Sequence, residues 1–174
     1  MKIIYNDGHV GECPEEEELE VLRHSAAHIM AQAVKRLYPQ AHFAYGPATE
    51  KGFHYDIDLG DVKLTDEDLP AIEAEMQKIV KENLPFKVYP LPREEAVKLM
   101  QERGEIYKVE HIADLAEDAV ITFYQQGDYI DMCVGIKIEK ACLLPCILSK
   151  YLQDTILIFI NNEYSFRFFT GSMK

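Results

Sequence analysis

Apolar residues recur at three- and four-residue intervals from residue 16 to residue 38, and Pro39 closes the run. At 100° per residue, Leu22, Ala26, Ile29, Met30, Ala33, Val34 and Leu37 fall on one arc, which predicts one long helix. His24 and His28 lie just beyond the edge of that arc, on the side that also holds Lys35 and the small residues Ala27 and Ala31. Two strand-like runs follow at 42–45 and 53–59, separated by Gly46-Pro47 and Gly52. Thr65-Asp66-Glu67-Asp68 is a variant capping box, and the helix it opens spaces Leu69, Ile72, Met76, Ile79 and Val80 helically. A strand at 85–89 and a helix at 93–103 ending at Gly104 come next. Further strands are expected at 107–112, 119–124 and 129–133, the last two joined by a turn at Gln125-Gln126-Gly127-Asp128. Strands alternate irregularly with helices. The fold class this predicts is α+β, with a largely antiparallel sheet packed against a long N-terminal helix and two further helices.

The chain has 174 residues, 48% of them hydrophobic, enough for one domain with a sizeable core. Its longest uninterrupted apolar stretch, 156–160, is far short of a membrane span. Asn6 and Asp7 follow the first five residues directly and leave no room for a signal-peptide apolar core, so the expected location is the cytoplasm, with no membrane partner. Four cysteines, Cys13, Cys133, Cys142 and Cys146, are too few and too scattered for a disulfide framework. The acidic run at 15–18 suits the positive end of a helix. A formal net charge of −12 argues against broad charge-driven binding to nucleic acid, but not against gripping a short single-stranded end. Residues 134–174 hold five Lys/Arg and three Asp/Glu, against 13 and 27 in residues 1–133, so the charge balance changes sign along the chain.

Three groups of residues carry candidate chemistry. His24 and His28, four apart on a helix, project one turn from each other. That suits a shared metal, or a pair gripping one substrate atom; it also suits two polar residues on a solvated face. Asp131 and Cys133 share a side of a strand and are able to bind metal or orient a water; an edge acid beside a small buried thiol fits equally. Lys108 offers a cation for a phosphate or a developing oxyanion, or is an exposed strand lysine. Tyr55 reads as core or rim. His54 and His111 have no partner legible in the sequence, and Cys13 and Cys146 each adjoin a proline.

The segment Arg23-His24-Ser25-Ala26-Ala27-His28, continuing to Pro39, is followed in order by Gly46-Pro47, Gly52-Phe53-His54-Tyr55-Asp56, Gly104-Glu105-Ile106-Tyr107-Lys108 and Tyr129-Ile130-Asp131-Met132-Cys133. Together these resemble the editing domain of threonyl- and alanyl-tRNA synthetases, the threonyl type more closely, over residues 22–133. The resemblance implies a proofreading hydrolase acting on the ester of a mischarged aminoacyl-tRNA, seryl-tRNA in the threonine system, with water as nucleophile. It implies catalytic roles for His24, His28, Lys108, Asp131 and Cys133, and places Tyr55 and Gly46 at the substrate. It implies a metal set of His24, His28 and Cys133, with zinc as the ion. The expected partner is the tRNA acceptor end, and the resemblance allows a homodimer. A binding module without catalysis, or an appended assembly domain, is the alternative. No aminoacylation motif is present, so the chain is not expected to charge tRNA alone.

The resemblance stops abruptly. Where the family continues with Gly-Pro-His, this chain reads Val134-Gly135-Ile136-Lys137, so Lys137 stands at the fourth-ligand position. The tryptophan usual in the family's end is missing. The expected organisation is a lead-in at 1–21, an editing core at 22–135 and a divergent segment at 136–174, less well packed than the rest or built of unlike strands.

Overall fold

The computed structural model describes residues 1–46, 48, 49, 52–141, 156–160 and 164–168. The chain opens with a short hairpin, β1 (Lys2–Ile4) and β2 (Val10–Glu12), which the sequence pattern did not predict. A 3₁₀ turn over Glu15–Glu17 leads into α1 (Glu18–Leu37). Helix α1 is buried on nearly every side from Ser25 to Val34, not along one arc. Leu22, Ile29, Met30 and Val34 are all at most 1% exposed. Each such side chain contributes roughly 1.5–3 kcal/mol by leaving water. Full enclosure also takes His28 into the interior, so the reading of two histidines on a solvated face does not hold.

Four two-residue strands follow: β3 (His42–Phe43), β4 (Ala48–Thr49), β5 (Gly52–Phe53) and β6 (Ile57–Asp58). The run expected as one strand at 53–59 is thus interrupted, and its first and last parts pair with different neighbours. Helix α2 (Leu69–Glu82) packs on α1, fastened where Arg36 donates two parallel hydrogen bonds to the Glu82 carboxylate at 2.6 and 2.8 Å. Before it, the Asp68 carboxylate accepts from the Thr65 amide and hydroxyl at 2.8 and 3.0 Å.

Strand β7 (Lys87–Leu91) precedes α3 (Arg93–Glu102), which ends at Gly104 with φ +72°. The next element corrects the sequence reading. Residues 107–112 are not a strand but lie in a third additional helix, α4 (Ile106–Asp114). Tyr107 to Glu110 alternates like a strand, yet Ile106, Val109 and Ile112 sit at helical spacing, and Lys108 and Ile112 share the buried face. Strands β8 (Ile121–Gln126) and β9 (Tyr129–Met132) form the expected hairpin across Gly127. Then β10 (Lys137–Ile138) returns to pair antiparallel with β1.

The pairings are β10-β1-β2, β4-β5, β7-β8-β9 and β12-β11-β6-β3, where β11 is Ile156–Ile160 and β12 is Tyr164–Phe168. All are antiparallel except the contact of β11 with β6. The class is α+β. Within the segment expected to be loosely packed, Lys137, Ile138 and Ala141 are fully buried. Most of the remainder of that segment, including Cys142 and Cys146, lies outside the described residues.

Candidate functional site

Helix α1, helix α4, the chain between β5 and β6, and the end of β9 converge on one polar cluster inside the core. Asp131 is its centre. Lys108 Nζ lies 2.9 Å from Asp131 Oδ1, and Tyr55 donates its hydroxyl to Oδ2 at 2.5 Å. His28 Nε2 lies 3.7 Å from the same Oδ2. Tyr55, His28, Lys108 and Asp131 are all at most 5% exposed. A charged pair this deep is costly to desolvate and is tolerated only when its remaining hydrogen-bonding capacity is met. Both carboxylate oxygens are engaged, and Lys108 also donates to the Met132 carbonyl at 3.3 Å.

The second half of the cluster reaches toward the surface. His24 Nε2 lies 3.0 Å from Cys133 Sγ, and the two imidazoles meet edge to face with centroids 5.5 Å apart. Gly46 sets the far wall: a Cβ there would come within 2.3–2.8 Å of the Tyr55 ring, so only glycine lets this loop rest on it. All seven residues singled out in the sequence (His24, His28, Gly46, Tyr55, Lys108, Asp131 and Cys133) therefore belong to one connected cluster. Lys108 reaches it from a helix.

Four further residues shape the site and were not legible as such. Tyr124 donates to the Gly135 carbonyl at 2.5 Å, and Asn6 Oδ1 accepts from the Gly135 amide at 3.1 Å. Ser25 Oγ accepts from the Ile138 amide at 3.0 Å. Gly135, with φ +106°, lies so close to the His24 ring that a Cβ would stand 3.0 Å from Cε1. Ser25 lies between the two histidines, and Gly135 two residues past Cys133, which is the only trace these roles leave in the sequence.

Burial sets the protonation states. It pulls the His24 imidazole down to about 3, with the Lys137 cation adding to the effect. It holds His28 well below the usual histidine range, helped by Lys137, His24 and Lys108. Burial pushes the Cys133 thiol up, against an opposing pull from Lys137. At neutral pH the histidines are neutral and the thiol is protonated. Neutral imidazoles accept hydrogen bonds and orient a water; a protonated thiol is a poor nucleophile.

His24, His28 and Cys133 offer ligand atoms within 4.8 Å of one another, a span one metal ion bridges. Lys137 opposes that use. Its Nζ lies 2.9 and 3.0 Å from the two ring nitrogens of His24 and 3.5 Å from Cys133 Sγ. Two unit charges 4 Å apart in such surroundings repel by about 4 kcal/mol, and a divalent ion doubles this. With the lysine protonated, the residues present do not fit a divalent metal.

No family model matches the chain. Among curated proteins it is 58% identical over 142 residues to the threonine–tRNA ligase of Clostridioides difficile. It is 53% identical over 126 residues to that of Clostridium acetobutylicum and 55% over 121 to that of Clostridium tetani. These matches take in 79%, 72% and 70% of this chain but 22%, 20% and 19% of the relatives. The homology makes the chain a domain related to aminoacyl-tRNA synthetases. More particularly, it is homologous to one segment of the threonine–tRNA ligases, and spans about a fifth of their length. Among the described residues, no helix is long and apolar enough to cross a membrane.

Proposed function

We propose that this chain is an editing module that hydrolyses mischarged aminoacyl-tRNA, with seryl-tRNA as substrate, as part of a threonyl-tRNA synthetase. One observation carries the reading: His24, His28, Tyr55, Lys108, Asp131 and Cys133 form one contiguous cluster in a chain homologous to a segment of threonine–tRNA ligases. The acceptor end is the partner, the cytoplasm is the setting, and catalysis uses the side chains without a metal step. A water oxygen adds to the ester carbonyl carbon, the bond to the ribose oxygen breaks, and a proton passes to that oxygen. His24, half-buried and neutral, orients the water by accepting its hydrogen bond, and the proton the water loses is the one that reaches the departing ribose oxygen. Lys108 supplies positive charge near the developing oxyanion, and Asp131 holds Lys108 and Tyr55 in register. The wall of Gly46 and Tyr55 admits serine and crowds the extra methyl of threonine. One methyl in a tight pocket is worth about 1–3 kcal/mol, or roughly 10–200-fold.

A second reading is favoured by one contact, the Lys137 amine against His24 and Cys133. On that reading the amine holds the place the attacking water needs, and the module binds the acceptor end without cleaving it. A deacylation assay with seryl- and threonyl-tRNA separates the two. Hydrolysis of seryl-tRNA well ahead of threonyl-tRNA supports the editing reading. Binding of the acceptor end with both esters left intact supports the second, and neither binding nor hydrolysis rejects both.

A further inference from the structure

The native backbone places Lys137 in the core by design of the chain around it. Lys137 pairs with Ile4 in the β1–β10 ladder, and its neighbour Ile138 hydrogen-bonds to Ser25. The turn before it is fastened to Asn6 and Tyr124 through Gly135. The side chain is wholly buried, and its amine reaches His24 and Cys133. Nearly equal distances to both nitrogens of His24 set the amine against the ring, not on one lone pair. The Tyr124 ring centroid is 4.6 Å away, a cation–π distance. Two rings in contact and a sulfur at 3.5 Å make a cradle for a cation.

The same space is bordered by two imidazole nitrogens and a thiol sulfur within 4.8 Å of one another. Zinc binds nitrogen at about 2.0–2.1 Å and sulfur at about 2.3 Å, so donors this close are able to share one ion after small side-chain shifts. The resemblance implies a metal set of His24, His28 and Cys133; we infer that in this chain the Lys137 side chain is a resident cation that keeps that set from taking a borderline-soft transition-metal ion such as zinc or cobalt(II). The native chain takes no such ion. A chain lacking that amine takes one, in the same place and through the same three side chains. This inference is independent of the editing reading, since it concerns metal binding and not ester cleavage.

The test is a cobalt(II) and zinc titration of the full chain, read by thiolate-to-cobalt charge-transfer absorption, by calorimetry and by the shift in melting temperature. Wild-type protein is expected to show no stoichiometric binding and no zinc-dependent shift. Lys137→Met, similar in length but uncharged, is expected to bind one equivalent with the thiolate band present. Its affinity should exceed wild type by more than the roughly 10–100-fold that outer-shell changes bring. Adding Cys133→Ser to that variant should abolish the band. Should Lys137→Met not fold, Lys137→Gln carries the same comparison with a polar head. Wild-type protein that binds one equivalent through the thiolate overturns the inference. So does a folded lysine-free variant that binds none, or whose cobalt spectrum survives loss of the Cys133 thiol.

Discussion

Lys108 Nζ and Asp131 Oδ1 stand 2.9 Å apart with 6% and 4% of their side chains exposed, so an ion pair lies at the centre of the core. Removing one partner leaves the other charged and dehydrated. Lys108→Met is expected to destabilise the fold by about 3–5 kcal/mol. Urea unfolding against wild type measures this. A loss under about 1 kcal/mol would mean that water reaches Asp131. Because stability and proposed catalysis share this lysine, any loss of deacylation must be measured on protein shown to be folded.

Gly46 tests whether Tyr55 acts as a wall. A methyl placed at Gly46 meets the Tyr55 ring at 2.3–2.8 Å, so either the ring or the loop must move. Moving the ring breaks the 2.5 Å bond to Asp131. Overpacking of this kind costs roughly 1–3 kcal/mol. Gly46→Ala is expected to lower the melting temperature and to reduce seryl-tRNA hydrolysis more strongly than Tyr55→Phe, which keeps the ring in place. Equal activity in Gly46→Ala and wild type would remove the wall from the proposed specificity.

Part of this site was legible because local rules suffice for it. The His24–His28 spacing follows from helical geometry, α1 stops before Pro39, and the β8–β9 hairpin follows from strand alternation around Gly127. What was missed depends on distant partners. Tyr107 to Glu110 alternates like a strand, yet the helix is favoured where Lys108 reaches Asp131 and where the Glu105 carboxylate accepts from Lys35 Nζ at 2.9 Å and the Phe43 amide at 3.1 Å. Strands β1 and β2 are three residues each, too short for a period to register, and β1 needs β10, more than a hundred residues on. Lys137 was visible as a departure, but its burial was not, since a lysine enters a core only with partners the sequence does not place beside it.

The two histidines contribute to the acid limb of stability. His24 falls from 6.5 to about 3 on folding, so between those values the unfolded chain holds more protons. Stability therefore decreases as pH drops from about 6.5 toward 3, by a few kcal/mol from this residue, since each pH unit of displacement is worth about 1.4 kcal/mol. His28, also held low, acts in the same direction. Lys137 works at the other end. Burial takes its amine from 10.5 to about 8, so the unfolded chain again holds more protons in that window, and stability rises as pH climbs from 8 to 10.5. Denaturation midpoints across pH 4–10 should show both limbs. His24→Asn should flatten the acid one and Lys137→Met the alkaline one, and unchanged slopes would refute the assignment.

Ser25 offers the most selective way to disturb the site without touching any proposed reacting group. Its hydroxyl donates to the Val21 carbonyl at 2.7 Å and accepts from the Ile138 amide at 3.0 Å, all in the interior. Ser25→Ala leaves that amide without a partner, which costs about 1–3 kcal/mol. It also removes the bond that pins β10, and with it Lys137, to α1. The expected outcome is therefore twofold. Stability falls by that amount, and Ile138 loses amide-exchange protection out of proportion to its neighbours in α1. If the Lys137 amine is held against His24 by this bond, the same variant should weaken that contact, seen as a chemical-shift change in the His24 ring. A destabilised Ser25→Ala protein whose Ile138 amide and His24 ring are both unchanged would show that β1 alone positions Lys137.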